Sequence, residues 1–196
     1  MHWGQEVIDG MKDACRRYEE DKEARVAIIT GAGRAFSAGF DINQVGGPPI
    51  SPEAHNVFEA IAKPVIAAVN GFALGAGFLL MMACDIRIAA RSAKLGLPEI
   101  TRAIPLGPQR FLIQNIPSCA VMELLLTGEH ISAQLAYKFG LINRVVPDEE
   151  LLPAAMKMAG RIAELSPWAV HLIKVTELAL SFSQCPGMFY LLSDLF

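Results

Sequence analysis

Three short stretches carry residues whose types could do chemistry: FSAGFD (36–41), NGFALGAG (70–77) and LGLPE (95–99). Each sets a glycine-bearing turn or an acid just after a strand-like run. Glu99 is a carboxylate among apolar neighbours. In an apolar site such a group holds its proton at higher pH than usual and can move it. On residue type alone it reads as a salt-bridged loop carboxylate. Gly75-Ala76-Gly77 precedes Phe78–Cys84, which reads as a short helix. The first N–H groups of a helix have no intrahelical partner and carry the positive end of its dipole. A glycine turn lets a ligand oxygen reach them. The same glycines also serve if they only let the helix pack on the strand before it, and this stretch leaves both readings open. Gly39 permits an unusual backbone angle, and Asp41 beside it reads first as a local backbone cap.

The elements that must position these stretches follow from the pattern. Residues 64–84 form an uncharged run of about the length that a bilayer core requires, with Gly71 and Gly75 at GxxxG spacing. Its punctuation argues for a buried strand, turn and helix instead. Val65–Val69 suits a buried strand, and Asn70-Gly71 is a turn signal. Ile86–Ala89 reads as the next strand and Lys94–Leu97 as a short extended segment. Upstream, residues 4–20 have helical periodicity and Val26–Thr30 reads as a buried strand. Gly31-x-Gly33 after that strand invites a dinucleotide-binding reading. The third glycine position holds Phe36 and no helix pattern begins there, so FSAGFD reads as a loop at a strand end.

Helices are also predicted over Pro52–Ala62, Gln109–Asn115 and Cys119–Leu126, with a loop at 100–108. Ser132 is placed as the cap of a helix over Ala133–Phe139, followed by a strand over Leu141–Val146. Asp148 is placed as the cap of a helix running to about Leu165. Ser166-Pro167 opens a last helix to about Phe182. Strands and helices alternate up to about Leu126, and helices dominate afterwards. This divides the chain into an α/β core over 1–126 and a helical region over 127–196.

The composition narrows the function classes. With 196 residues the chain can bury a substantial core, and 53% hydrophobic content opposes disorder. A net charge of −3 without a basic block gives no nucleic-acid footprint. Cys15, Cys84, Cys119 and Cys185 are scattered, without CxxC, and read as reduced thiols of an intracellular protein. The first twenty residues are polar, unlike a signal peptide. The expected location is the cytoplasm, or the mitochondrial matrix if a transit segment has been removed. His2, His55, His130 and His171 have no ligand-like spacing, so no metal site is expected.

The order and spacing of the three stretches resemble the crotonase, or enoyl-CoA hydratase/isomerase, superfamily. MMACDIRIA (81–89) and LLLTGEHISAQLAYKFGLINRVVP (124–147) extend the resemblance, which is strongest from Val26 to Pro147. Five linked motifs in order are far more specific than one glycine pair. The resemblance implies an α/β spiral of stacked ββα turns with a C-terminal helical region that packs trimers, or dimers of trimers. It implies an acyl-CoA thioester as substrate, with coenzyme A part of that substrate and no separate cofactor. In the family's pattern two backbone N–H groups form an oxyanion hole. These match Phe40 and Ala76 here, and Glu99 matches a catalytic acid. Ala38, Gly39, Asp41, Ile42, Gly75, Gly77 and Leu79 are the substrate-contacting positions implied by the same match.

The departures from the pattern shape the expected reaction. The classical hydratases carry a second glutamate where this chain has Leu79. Hydration uses two carboxylates to hold and split one water, and leucine cannot hold water. A single carboxylate fits removal of a proton from one carbon and its return two carbons along, the pattern of the Δ3,Δ2-enoyl-CoA isomerases of this family. Classical hydratase activity and a non-catalytic scaffold on the same fold are the alternatives. The family's usual first strand pair and final helical stretch have no counterpart in this sequence, so it reads as a fragment or a shortened member.

Overall fold

A computed structural model describes residues 5–39, 61–104, 112 and 116–183 of the chain. The elements, in order, are α1 (Gln5–Glu20), β1 (Ala27–Thr30), β2 (Ala35–Ser37), β3 (Val65–Val69), β4 (Phe72–Leu74), α2 (Ala76–Met82), β5 (Ile86–Ala90), β6 (Lys94–Gly96), a 3-10 turn at Pro98–Arg102, α3 (Ser118–Thr127), β7 (Ile131–Ser132), α4 (Ala133–Lys138), β8 (Arg144–Val146), a 3-10 turn at Asp148–Glu150, α5 (Leu151–Ala163) and α6 (Pro167–Ser183). The helices expected over Pro52–Ala62 and Gln109–Asn115 lie almost wholly outside the described residues, as do Phe40, Asp41 and Ile42.

Up to β6, successive strands alternate between two four-stranded sheets; β7 then joins the sheet of β6 and β8 the other. One sheet has the order β1-β3-β5-β8 and the other β2-β4-β6-β7. Every pairing is parallel except β6 with β7. The chain therefore winds as a spiral, each turn adding one strand to each sheet. This is the expected ββα spiral. β7 and β8 show that residues beyond Leu126 complete both sheets rather than forming helices alone.

The fully buried β3 explains the uncharged run. Its alternate residues point to opposite faces. Val65, Ala67 and Val69 enter the main core with Phe78, Met81, Leu95 and Leu141. Ile66 and Ala68 face a second core formed with Ile88 and with Leu151, Ala155 and Ala159, a stripe at four-residue spacing on α5. A parallel strand covered on both faces reads as continuously apolar. No described helix is long and apolar enough to cross a membrane.

Two local readings are corrected. FSAGFD is not wholly a loop: Ala35–Ser37 is strand β2, paired with β4. A three-residue strand is too short to show a period of two. Gly31-x-Gly33 leads into that strand rather than into a helix, so the dinucleotide reading, already disfavoured by the sequence, gains no support. The loop is instead fastened by Asn70, whose Oδ1 accepts from Gly31 N at 2.9 Å and whose Nδ2 donates to Gly33 O at 2.8 Å. Asp148 is not a helix cap. Its carboxylate accepts from the Ser92 amide at 3.1 Å and from the Ser92 hydroxyl, tying the end of β5 to the entry of α5. Ser132 does cap α4, accepting from Leu135 N at 3.2 Å.

Candidate active site

Neighbouring strands of the second sheet bring the three chemical stretches together. β4 lies between β2 and β6, parallel to both. The chain leaves β2 through Ala38-Gly39, β4 through Gly75 and β6 through Leu97-Pro98-Glu99. Residues far apart in sequence thus emerge at adjacent strand ends. The carboxyl ends of parallel strands are where α/β sheets commonly seat ligands.

Two of the glycines are required by close approach. Gly75 has φ +55°, and a Cβ built on it would lie 2.7 Å from Glu99 Oε1. Gly39 has φ +85°, and its Cβ would lie 2.9 Å from Leu74 O and 3.4 Å from Ala76 N. Both angles belong to the left-handed region that L side chains rarely adopt. Gly39, Gly75, Ala76 and Glu99 therefore form one contiguous surface. The backbone amide of Gly75 is spent on Gly96 O at 3.0 Å. Ala76 is the first residue of α2, with Gly75 as its N-cap, so its N–H is among those a helix cannot satisfy internally.

The supports of this surface are backbone and core. A Cβ on Gly77 would meet Ser37 O at 2.5 Å, so the missing side chain lets α2 pack against β2. Ser37 is buried, and its hydroxyl accepts from Gly39 N at 3.2 Å. At the other end of α2, Arg87 Nη1 donates to Met82 O at 3.1 Å and to Cys84 O at 2.8 Å. Asp85 Oδ2 accepts from Val65 N at 2.7 Å and from Lys174 Nζ at 2.8 Å. The same ammonium donates to Lys63 O at 2.7 Å. These bonds anchor the α2–β5 junction to the start of β3 and to α6.

Glu99 is the carboxylate of the site. Its Oε2 is fully buried and has no hydrogen-bond partner among the described residues. Burial raises its pKa above the ordinary value of 4.5; its own backbone N–H and the charge of Arg102 act in the opposite direction. No salt bridge to Glu99 occurs among the described residues. The first turn of α2 carries no acid, and Leu79 is half-buried, packed against the main core. Ala38 is also half-buried. Among the described residues no cluster of three His, Cys, Asp or Glu side chains could hold a metal.

Two contributors were not foreseen from sequence. Ser37 stands two residues before Gly39, the spacing of a hydroxyl-to-backbone turn, and that spacing could have marked it. Arg102 lies three residues beyond Glu99 in the 3-10 turn and acts only through its charge.

Comparison with known proteins supplies the family context. A family model described as Enoyl-CoA hydratase/isomerase matches residues 3–184. A probable mitochondrial enoyl-CoA hydratase from Dictyostelium discoideum is 43% identical over 178 residues, covering 86% of this chain and 64% of that protein. A crotonyl-CoA hydratase from Syntrophomonas wolfei is 40% identical, covering 84% of this chain and 68% of that protein. The chain thus spans about two thirds of the length of these relatives. Among solved structures, an enoyl-CoA hydratase from Bacillus anthracis superposes with a TM-score of 0.81 at 38% identity, covering 92% of this chain and 73% of that one.

Proposed function

Because the chain belongs to the enoyl-CoA hydratase/isomerase family, we propose that it acts on an acyl-CoA thioester through an enolate held in an oxyanion hole, with Glu99 moving the proton. The observation that carries this reading is Glu99, whose buried Oε2 has no hydrogen-bond partner among the described residues and whose Oε1 lies against Gly75, beside the Ala76 amide. The thioester oxygen is placed on the N–H groups of Ala76 and Phe40. Two fixed donors aimed at the developing oxyanion lower the barrier by about 2.7–4 kcal/mol each. Ala38, Gly39, Asp41, Ile42, Gly75, Gly77 and Leu79 complete the contact surface for the substrate.

Of the reactions open to such a site, we favour double-bond isomerisation. Glu99 takes a proton from C2 of a 3-enoyl thioester, the electron pair delocalises to the thioester oxygen and C4, and the same carboxyl group returns the proton at C4. One carboxyl group suffices, and Leu79 supplies no second one. Coenzyme A is part of the substrate, and the reaction needs no separate cofactor. Assembly is proposed as a homotrimer or a dimer of trimers.

A second reading, hydration of a 2-enoyl thioester, is favoured by the names of the relatives, crotonyl-CoA hydratase and 2,3-dehydroadipyl-CoA hydratase among them. It needs another group to position water. A non-catalytic scaffold is the third reading, motivated by Leu79. Turnover of enoyl-CoA by the chain and by Glu99→Gln separates enzyme from scaffold. The enzyme reading expects a loss of about a hundred- to ten-thousand-fold with thioester binding retained. Equal rates in the two proteins would sink it.

A further inference from the structure

A groove of about 300 Å³ lies where the chain enters β1 and β3, framed by α6. The proposed thioester site is built where the chain leaves β2, β4 and β6, and none of its residues lines this groove. Three cationic residues, Lys22, Arg25 and Lys63, line it together with His171. No carboxylate is among the described residues lining it. In a chain of net charge −3 this is a local concentration of the opposite sign.

Two of the cations are fixed in place. Lys63 Nζ donates to Tyr18 O and Asp21 O, both at 2.7 Å, and lies 5.1 Å from the Tyr18 ring centre. Arg25 Nη2 donates to Leu165 O at 2.7 Å, and further N–H donors remain on the same planar guanidinium. Lys22 and His171 are exposed and adjustable. Pro167, also in the lining, begins the 17-residue α6, so the positive end of that helix dipole adds to the field. Trp168 lines the same groove and is 72% exposed. A solvent-facing indole among cations offers a flat stacking surface beside an anion site.

We infer that this groove binds a small phosphorylated ligand with a flat aromatic ring, the chemistry of a nucleoside monophosphate, at a site separate from Glu99. A phosphate matches the fork of Arg25, with charge from Lys22 and Lys63 and the imidazole of His171 beside it. The ring stacks on Trp168. The volume is at the lower end of the range for small-molecule sites.

The test is titration of the full chain with AMP, followed by calorimetry and by tryptophan fluorescence. The titration is run both without and with saturating coenzyme A, because adenylate is also a fragment of coenzyme A. Adenosine and inorganic phosphate each supply one of the two features. The expected result is saturable AMP binding with quenching that Trp168→Phe abolishes, and binding of either single-feature probe weaker by about tenfold or more. The double variant Lys22→Ala/His171→Ala changes two exposed side chains and should weaken AMP by about tenfold as well. The inference is overturned if AMP fails to saturate through the millimolar range. Displacement of AMP by coenzyme A, or unchanged affinity in the double variant, overturns it equally. So does Trp168 emission that follows protein concentration in step with sedimentation mass, which would mean that a second copy covers the groove.

Discussion

Gly75 and Glu99 touch through the space where a side chain would be: a Cβ on Gly75 would stand 2.7 Å from Glu99 Oε1. The glycine turn and the carboxylate are therefore parts of one surface, and neither can change without the other. Gly75→Ala adds both a collision and a left-handed backbone angle that costs about 1–2 kcal/mol in an L residue. Displacing Glu99 by even 1 Å costs about a hundredfold in rate. We expect Gly75→Ala to remain folded, with a lower Tm, and to lose about that factor in kcat. Thermal unfolding and steady-state kinetics on one preparation check both.

Glu99 should reduce stability at neutral pH. Burial raises its folded-state pKa above 4.5, so between the unfolded and folded values the native chain binds more protons than the unfolded chain. Stability then falls as pH rises through that window. Glu99→Gln removes the poorly solvated charge. Its Tm should exceed that of the parent by a few degrees at neutral pH, and the gain should vanish below the ordinary carboxylate range. A lower Tm at neutral pH would show that the ionised carboxylate has a stabilising partner.

On the proposed mechanism the same carboxylate sets the acid limb of activity. As a base it must be ionised, so the rate should fall as pH drops through a value above 4.5. Arg102 opposes the rise by its charge. Arg102→Ala should therefore move the inflection to higher pH, while a variant at a distant exposed arginine, Arg161, leaves it unchanged. A pH profile of kcat/KM reads both.

Much of the candidate site's geometry was legible because it rests on residue types that are rare in those places. Glycines at 39 and 75 and an acid at 99 each follow a strand-like run, and the sheet order turns that repetition into adjacency. The long strand β3 was legible because both of its faces are buried. β2 and β4 were missed because three-residue strands carry no readable period. Asp148 was misassigned because its partner, Ser92, lies 56 positions away in sequence, and a local cap rule sees only near neighbours. Lys174 was invisible for the same reason: on an apolar helix it reads as a solvent-facing cation, yet it is buried against Asp85.

That last pair carries a stability prediction. Lys174 has a relative exposure of 8% and Asp85 of 33%, so water still reaches one partner. Lys174→Met should cost about 2 kcal/mol, the worth of a hydrogen bond to a charged group. Among the described residues it leaves Asp85 with only the Val65 amide, and it frees α6 from Lys63 O. Because neither residue touches the substrate surface, kcat of the folded fraction should change little. Urea unfolding with kinetics at low denaturant checks both statements.

The most direct measurement is turnover of the purified chain on two substrates side by side, a 3-enoyl-CoA and a trans-2-enoyl-CoA in water. With Glu99 as the proposed acid/base and Leu79 at the position where the family's pattern gives a second glutamate, the account predicts isomerisation of the first and no hydration of the second. Hydration of the 2-enoyl thioester at a rate matching or exceeding isomerisation would contradict it, and would mean that a group other than residue 79 holds the water.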